Sequence, residues 1–436
     1  MRKRLRVITL GCSKNTVDTE HLLAQLPADA FEIVDGEEPV DCLLLNTCGF
    51  IGDAKEESVN AILAAVEAKK RGEAGEVVVF GCLSQRYPGE LRAEIPEVDA
   101  WFGARDLSPL LRYLGVRPGP FVTRRLAEAK GYAYLKISEG CDRRCSYCAI
   151  PLIRGAHRSV PMEDLVAEAE SLVARGVREL ILIAQDTTYY GLDLYHRRAR
   201  GELIGRLSAI PGLVWIRIHY SYPEGFPEDV LEVMAHNPKV CKYLDIPLQH
   251  ISDPVLERMR RHVDGAWTRA LIARLRREVP GVALRTTLIV GHPGETPEAF
   301  EELRDCVREA RFERLGAFMY SEEEGTWGAE HFADDVPPET KQERLDALME
   351  LQREISLSCN QARVGTEVTV MVDGFLPSES HPEPEPRTAV CRSEYESPEV
   401  DGEILVRGVA PSVQVGDMIR VRIVAAEDYD LVAEAL

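Results

Sequence analysis

Six short runs rich in β-branched and aromatic residues recur between residues 132 and 321, and helical periodicity fills the gaps between them. They are YAYLKIS from Tyr132, ELILIAQ from Glu179, VWIRIHY from Val214, KYLDIPL from Lys242, ALRTTLIV from Ala283 and RLGAFMYS from Arg314. Runs of this kind read as strands buried on both faces, the mark of a parallel sheet covered by helices. Among the intervening helices, SVPMEDLVAEAESLVARG has the clearest start and, at Gly176, the clearest stop. Crossovers between parallel strands are right-handed, so the units wind in one direction. The expected product is a partial (βα)6 barrel, because six units fall short of eightfold closure. Its active groups belong on the loops at the C-terminal strand ends.

The flanking segments have other textures. Up to about residue 125, RVITLG, DCLLLNTC and EVVVFGC read as buried parallel strands, and Ala54 to Lys70 as a helix ending at Gly72. This is the pattern of an open α/β sandwich. A polar helix over roughly Glu339 to Arg363 leads into EVTVMVDGF, RTAVCRS, EILVRG, DMIRVRIVAAED and LVAEAL, short strands that predict a small all-β barrel. The stretch Pro382 to Pro386 reads as an exposed loop. The fold class is therefore α/β, with three expected domains at 1–125, 126–360 and 361–436.

Directly after the first barrel strand, SEGCDRRCSYCAIP spaces Cys141, Cys145 and Cys148 as C-x3-C-x2-C. Three thiolates on one loop, with Gly140 letting the backbone turn, favour iron–sulfur ligation. Zinc is the rival reading; a structural zinc site wants a fourth ligand, which His157 would have to supply. A cubane held by three cysteines keeps one iron open to a small molecule, and that is the chemically richer reading. Three more cysteines, Cys12 in LGCSKN, Cys48 in LNTCGF and Cys82 in FGCLSQ, each end a strand of the first segment. In an open parallel sheet those ends share one edge, where ligands bind. Gly11, Gly49 and Gly81 beside them permit close backbone approach to a cluster. The plain reading is three buried thiols, since cysteine is a common core residue. Cys42, Cys241, Cys306, Cys359 and Cys391 have no ligand spacing and read as structural.

The opening MRKRLRVITLGC imitates a secretion signal, but its apolar run from Val7 to Leu10 is too short for one. No later stretch approaches the roughly 20 apolar residues that span a bilayer, so no membrane role is expected. A cytoplasmic chain is the expectation, and there eleven cysteines are not assumed to pair. The net charge of −20 argues against a broadly basic nucleic-acid surface and suits a basic partner, or merely keeps the chain soluble.

Together, C-x3-C-x2-C with Tyr147 inside it, LGCSKN, NTC, FGC, VGHPGET from Val290, YSEEEGT from Tyr320 and the terminal TRAM-like barrel resemble the methylthiotransferase family of radical S-adenosylmethionine enzymes. The resemblance spans essentially the whole chain. It implies two 4Fe–4S clusters: one on Cys141, Cys145 and Cys148 that binds and cleaves S-adenosylmethionine, and an auxiliary one on Cys12, Cys48 and Cys82 that delivers sulfur. A second S-adenosylmethionine supplies the methyl group, and a reducing electron donor is required. Gln185 resembles the family's cofactor-contacting glutamine, and Tyr147 is placed against the adenine; for both, local packing is the plain alternative. Arg217 and Arg285 are candidates to face cofactor or substrate carboxylates, or else to form buried ion pairs. No general acid or base is assigned, because hydrogen abstraction by a radical needs none.

The family divides by substrate. One branch modifies an adenosine of transfer RNA, the other the β-carbon of an aspartate on small-subunit ribosomal protein twelve, free or on the ribosome. LDIPLQH from Leu244 and YSEEEGT resemble the second branch. From Gln361 onward, roughly 15 Asp and Glu stand against 6 Arg, and phosphate contacts need basic residues. The basic ribosomal protein is therefore the expected partner, and transfer RNA the alternative.

Overall fold

The computed structural model describes residues 2–126, 130–377 and 387–436; the proline-rich stretch at 382–386 lies outside the described residues. In the first segment, β1 (Lys3–Thr9), β2 (Phe31–Ile33), β3 (Val40–Thr47), β4 (Ala74–Gly81) and β5 (Ala100–Trp101) form a parallel sheet in the order β2-β1-β3-β4-β5. β3 is buried almost throughout, and helices Ser13–Ala24 and Gly52–Lys70 lie in the crossovers. One apolar layer packs around Leu5, Leu22, Leu44 and Val78, the other around Leu43, Leu45, Ile62 and Val77. Two layers on opposite faces are what period-2 side chains in a doubly covered sheet require.

β6 (Tyr132–Lys136) enters the central unit. A short ribbon follows, β7 (Ser138–Glu139) paired antiparallel with β8 (Arg158–Ser159), and the radical-motif loop hangs between its two strands. Then come β9 (Glu179–Ile183), β10 (Trp215–Ile218), β11 (Val240–Asp245), β12 (Ala283–Val290) and β13 (Arg314–Met319). The order β13-β12-β11-β10-β9-β6 is an unclosed, all-parallel sheet of six, as the repeat predicts. The C-terminal unit is a closed barrel, β14 (Glu367–Phe375), β15 (Arg387–Arg392), β16 (Ile404–Val409), β18 (Leu431–Ala435) and β17 (Met418–Ala426), reached through helix Pro338–Gln361. Closure removes exposed strand edges and surrounds a core of Val370, Val372, Val406, Val421 and Ile423.

The segment 393–401 of this barrel fills the interior of the six-stranded unit. Arg217 donates to the Ser393 and Glu394 carbonyls, Tyr243 to Asp401, and Tyr132 and Tyr134 to the two oxygens of Glu399. Arg217 also meets Glu179 at 2.7 Å, and Arg392 reaches the other Glu179 oxygen at 2.9 Å. Arg285 pairs with Asp245 at 2.9 Å and lies 3.6 Å from Asp401. Of the two readings of Arg217 and Arg285, buried ion pairing is the one the structure shows, and these pairs help seat the C-terminal barrel. Some of the acids of that barrel are spent inside the molecule, Glu396 on Arg314 and Arg363 and Asp401 near Arg285, while Glu367, Glu399, Glu403, Glu427 and Glu434 stay exposed. Burial alone would raise the Glu396 carboxyl, but Arg363 and Arg314 outweigh it and lower it to about 2. This pairing stabilises docking above the ordinary carboxylate range and is lost as pH falls toward 2.

Glu179 is fully buried between two guanidinium groups. Glu179→Ala should therefore cost about 3 kcal/mol, because it leaves buried Arg217 without a carboxylate while Arg392 keeps Asp373. The expected result is a lowered thermal midpoint with easier proteolytic separation of the C-terminal barrel; an unchanged midpoint would refute the account.

Candidate functional site: two facing sets of thiols

All eleven cysteines are free thiols. Cys12, Cys48 and Cys82 follow the ends of β1, β3 and β4 and are drawn together at one sheet edge. A Cβ on Gly11, which holds φ +90°, would come within 2.7 Å of the Cys48 Cβ, so the first two cysteine loops touch. A Cβ on Gly49 would strike the Leu83 backbone at 2.7 Å, which brings the Cys82 turn equally close. These glycines let the loops approach one another rather than leaving room for a cluster. Asn15 ties the three ends: its amide donates to the Leu10 and Thr47 carbonyls at 2.8 and 3.3 Å, and its oxygen lies 3.6 Å from the Cys82 Sγ. Asn15 belongs to LGCSKN, three residues after a strand-end cysteine, and that spacing is its only mark in the sequence.

The other set sits on the loop between β7 and β8. Gly140 holds φ +78°, and any Cβ there would meet the Ala156 carbonyl at 2.1 Å, so only glycine allows the loop to close on itself. The loop is gripped from outside: Ser146 donates to the Met259 carbonyl, accepts from the Gly328 amide, and lies 3.2 Å through its hydroxyl from His292 Nε2. The His292 ring also meets Tyr147 edge-on. Burial lowers His292 to about 4, so it stands neutral as a buttress. The VGHPGET turn therefore supports the cysteine loop, while Thr296 accepts from the Ala299 amide and caps the helix that follows. His157 contacts Ser159 and Asp193 instead of the cysteines.

The two sets face each other through a shared wall. Cys82 packs with Ala149 and Ile153, the residues just beyond Cys148. Arg154, on the helix Ile150–Arg154, donates to the Cys82 Sγ at 3.2 Å and to Asn15 at 2.6 Å, and pairs with Asp18 at 2.7 Å and Glu139 at 3.1 Å. Burial pushes the Cys82 thiol up to about 12, and Arg154 opposes that shift; Cys148 is likewise raised to about 12 by burial and by Cys145. Such thiols surrender their protons when a metal takes them. Arg261 approaches Cys145 at 4.0 Å and the Tyr147 hydroxyl at 3.4 Å. Sulfur-only donors in two triads, each with a guanidinium directed at a sulfur, suit iron–sulfur clusters.

Glu323 of YSEEEGT accepts from Lys55 and Arg86, both at 2.7 Å, and clamps the first segment over the barrel mouth. Gln185 lies two residues past β9 and donates to Glu139 at 2.8 Å. Its amide oxygen has no partner among the described residues, nor do Arg143 Nη2, the Tyr222 hydroxyl, Gln249 Oε1 or Arg261 Nε. Gln185, Arg143, Tyr222 and Gln249 lie just past strand ends, and Arg261 reaches the same loops through the Pro247 carbonyl. Buried polar atoms are normally satisfied, so this ring of orphans marks a place prepared for a polar ligand. A cavity of about 710 Å³ lies elsewhere, against Val282, Arg314, Asn360 and Arg363.

Comparison with known proteins agrees with this geometry. The profile of the radical SAM superfamily matches residues 135–307, that of uncharacterized protein family UPF0004 residues 4–103, and that of the TRAM domain residues 364–436. The chain is 49% identical to ribosomal protein uS12 methylthiotransferase RimO of Phocaeicola vulgatus, with 100% of each chain covered. It is 51% identical to the protein of the same name from Porphyromonas gingivalis, with 99% of each covered. The chain belongs to the methylthiotransferase family of radical S-adenosylmethionine enzymes. As a member it is an enzyme that uses S-adenosylmethionine and 4Fe–4S chemistry. The radical S-adenosylmethionine methyltransferase TsrM of Kitasatospora setae shares the fold, with a TM-score of 0.57 at 16% identity over 76% of this chain and 78% of that one. No helix among the described residues is long and apolar enough to cross a membrane.

Proposed function

We propose that the protein places a methylthio group on the β-carbon of an aspartate of small-subunit ribosomal protein twelve, uS12. The observation that supports the chemistry is the contact of Cys82 with Arg154, Ala149 and Ile153, residues of the segment that directly follows Cys148. The substrate follows the relatives, which match over their full length and are named for that protein.

Cys141, Cys145 and Cys148 would hold the cluster that binds S-adenosylmethionine, and Cys12, Cys48 and Cys82 the auxiliary cluster. When bound, these groups supply one-electron cleavage of S-adenosylmethionine and the sulfur that is transferred, with a second S-adenosylmethionine as methyl source and an external low-potential electron donor. The chain's own residues do the positioning. Gln185 and Tyr147 border the cofactor, Ser146 and His292 fix the cysteine loop, and Arg154 with Asn15 orients Cys82. The clamp at Glu323 closes the first segment over the mouth and keeps water from the reacting carbon. Three units share the work: 1–125 for sulfur, 126–360 for radical generation and 361–436 seated within the barrel. Eleven free thiols and the need for a reductant suit the cytoplasm.

Mass spectrometry of a strain lacking the gene tests this. The methylthio increment on uS12 should vanish while transfer RNA keeps its own. Loss from transfer RNA with uS12 unchanged would reject the reading, and a chain that takes up iron but never cleaves S-adenosylmethionine would be a carrier instead.

A further inference from the structure

Around the facing triads, nearly every buried cation has its carboxylate. Lys136 pairs with Asp18 and Glu139, Arg154 with the same two, Arg124 with Glu20 and Glu168, and Arg143 with Asp186 and Glu224. Lys14 is different. It is 8% exposed, yet no carboxylate of the described residues lies within salt-bridge distance. Asp18, one turn along the same helix, is committed to Lys136 and Arg154. The contact that Lys14 does make is with an aromatic face: its Nζ stands 3.2 Å above the centre of the Tyr220 ring.

Its place in the fold makes the missing partner more telling. Lys14 lies in the first turn of the helix Ser13–Ala24, whose N-cap is Cys12, and that turn contains no acidic residue. A cation there opposes the helix dipole, and burial adds a desolvation penalty. The Tyr220 ring offsets part of these costs, but it supplies no counter-charge. Tyr220, just past the end of β10, holds a left-handed φ of +53°, which non-glycine residues seldom adopt. Its backbone is clamped by the Asp245 carboxylate on its N–H, at 2.9 Å, and by the Thr187 amide on its carbonyl, at 3.0 Å. Strain held this firmly at a strand's C-terminal end belongs to functional sites. The ring is thus fixed beneath an ammonium that projects into the barrel mouth from the sulfur-delivering segment.

We propose that Lys14 receives the side-chain carboxylate of the substrate aspartate and so selects an acidic residue over an uncharged base. This inference rests on the uS12 reading above. An ammonium with no protein anion, two residues from Cys12, is complementary to a carboxylate one bond from the carbon to be modified; adenine offers no such charge. Holding the carboxylate there orients the adjacent β-carbon, and the pair is strong because water is excluded. Other cations here also lack a carboxylate but are placed differently: Arg261 sits against Cys145 and Tyr147 on the radical loop, Arg200 is spent on the Thr187 and Ser221 hydroxyls, and Arg144 is exposed.

The test is a four-way binding cycle on the anaerobically cluster-loaded protein, by fluorescence anisotropy of labelled uS12. Wild type and Lys14→Met are each titrated with native uS12 and with uS12 carrying asparagine for the target aspartate. Wild type should prefer the native form by roughly tenfold or more, within the range of close interfacial charge pairs. Lys14→Met should bind both forms alike, at the weaker level, and Lys14→Arg should restore part of the preference. The loss should appear in KM for uS12 more than in kcat. Because Lys14→Met removes a buried, unpaired charge, its thermal midpoint should equal or exceed that of wild type. The proposal is overturned if Lys14→Met keeps the wild-type preference, if wild type shows none, or if the variant fails to fold, which would make Lys14 structural. A shifted potential of the auxiliary cluster with the aspartate preference intact would assign Lys14 to the cluster and also overturn it. If wild type modifies transfer RNA and never uS12, the functional reading fails first; if uS12 is modified and only the preference is insensitive to Lys14, this inference alone fails.

Discussion

Cys48→Ala should go on cleaving S-adenosylmethionine while sulfur insertion falls by more than about 100-fold, the most that loss of a supporting partner around a metal site usually costs. The change is local. Cys48 closes β3, and its backbone is held on both sides by one hydroxyl: its N–H donates to Ser58 Oγ at 3.0 Å, and that hydroxyl donates back to its carbonyl at 2.9 Å. Alanine keeps the Cβ against which Gly11 packs. Contact with the radical loop runs through Cys82 and Arg154 rather than Cys48, so the second triad keeps its support. Release of 5′-deoxyadenosine and the methylthio increment on uS12 are measured side by side. Equal loss of both would contradict separate roles for the triads.

Cys145→Ala should abolish both activities, cleavage falling by more than about 100-fold, and leave roughly half of the about eight irons that two cubanes bring. Cys145 is half-buried on a loop whose shape comes from Gly140, Ser146 and the Cys148 amide, which donates to the Cys145 carbonyl at 3.2 Å. The loop backbone therefore survives loss of the thiol, and what disappears is a ligand. Cys306→Ala is the matched control: that thiol is buried in the helical layer with Leu303 and Val307, away from both triads. It should keep full iron and both activities. Persistent cleavage in Cys145→Ala would remove that residue from the cluster.

Much of this was legible before any coordinates. Local spacing placed Cys141, Cys145 and Cys148 on one loop, and buried apolar runs placed Cys12, Cys48 and Cys82 at three strand ends, because strand period and parallel crossovers leave few topologies. The roles of Arg217 and Arg285 were not legible, since their partners Glu394 and Asp401 lie over a hundred residues away in another unit. Nor was the disposal of the C-terminal acids, because composition counts charges without showing which are turned inward. Asn15, Arg154 and Lys14 depend on the same kind of fact. Each is an ordinary polar residue in sequence, and its meaning comes from what stands opposite once the first segment folds over the barrel. The sequence alone determined most of the strands, the six parallel units of the central segment and the placing of six thiols at strand ends and on one loop, all consequences of short-range pattern. The short β2, β5, β7 and β8 escaped it. Only the tertiary structure decided which charges are paired and that, among the described residues, the buried Lys14 ammonium has no carboxylate, because pairing is a property of distance in space.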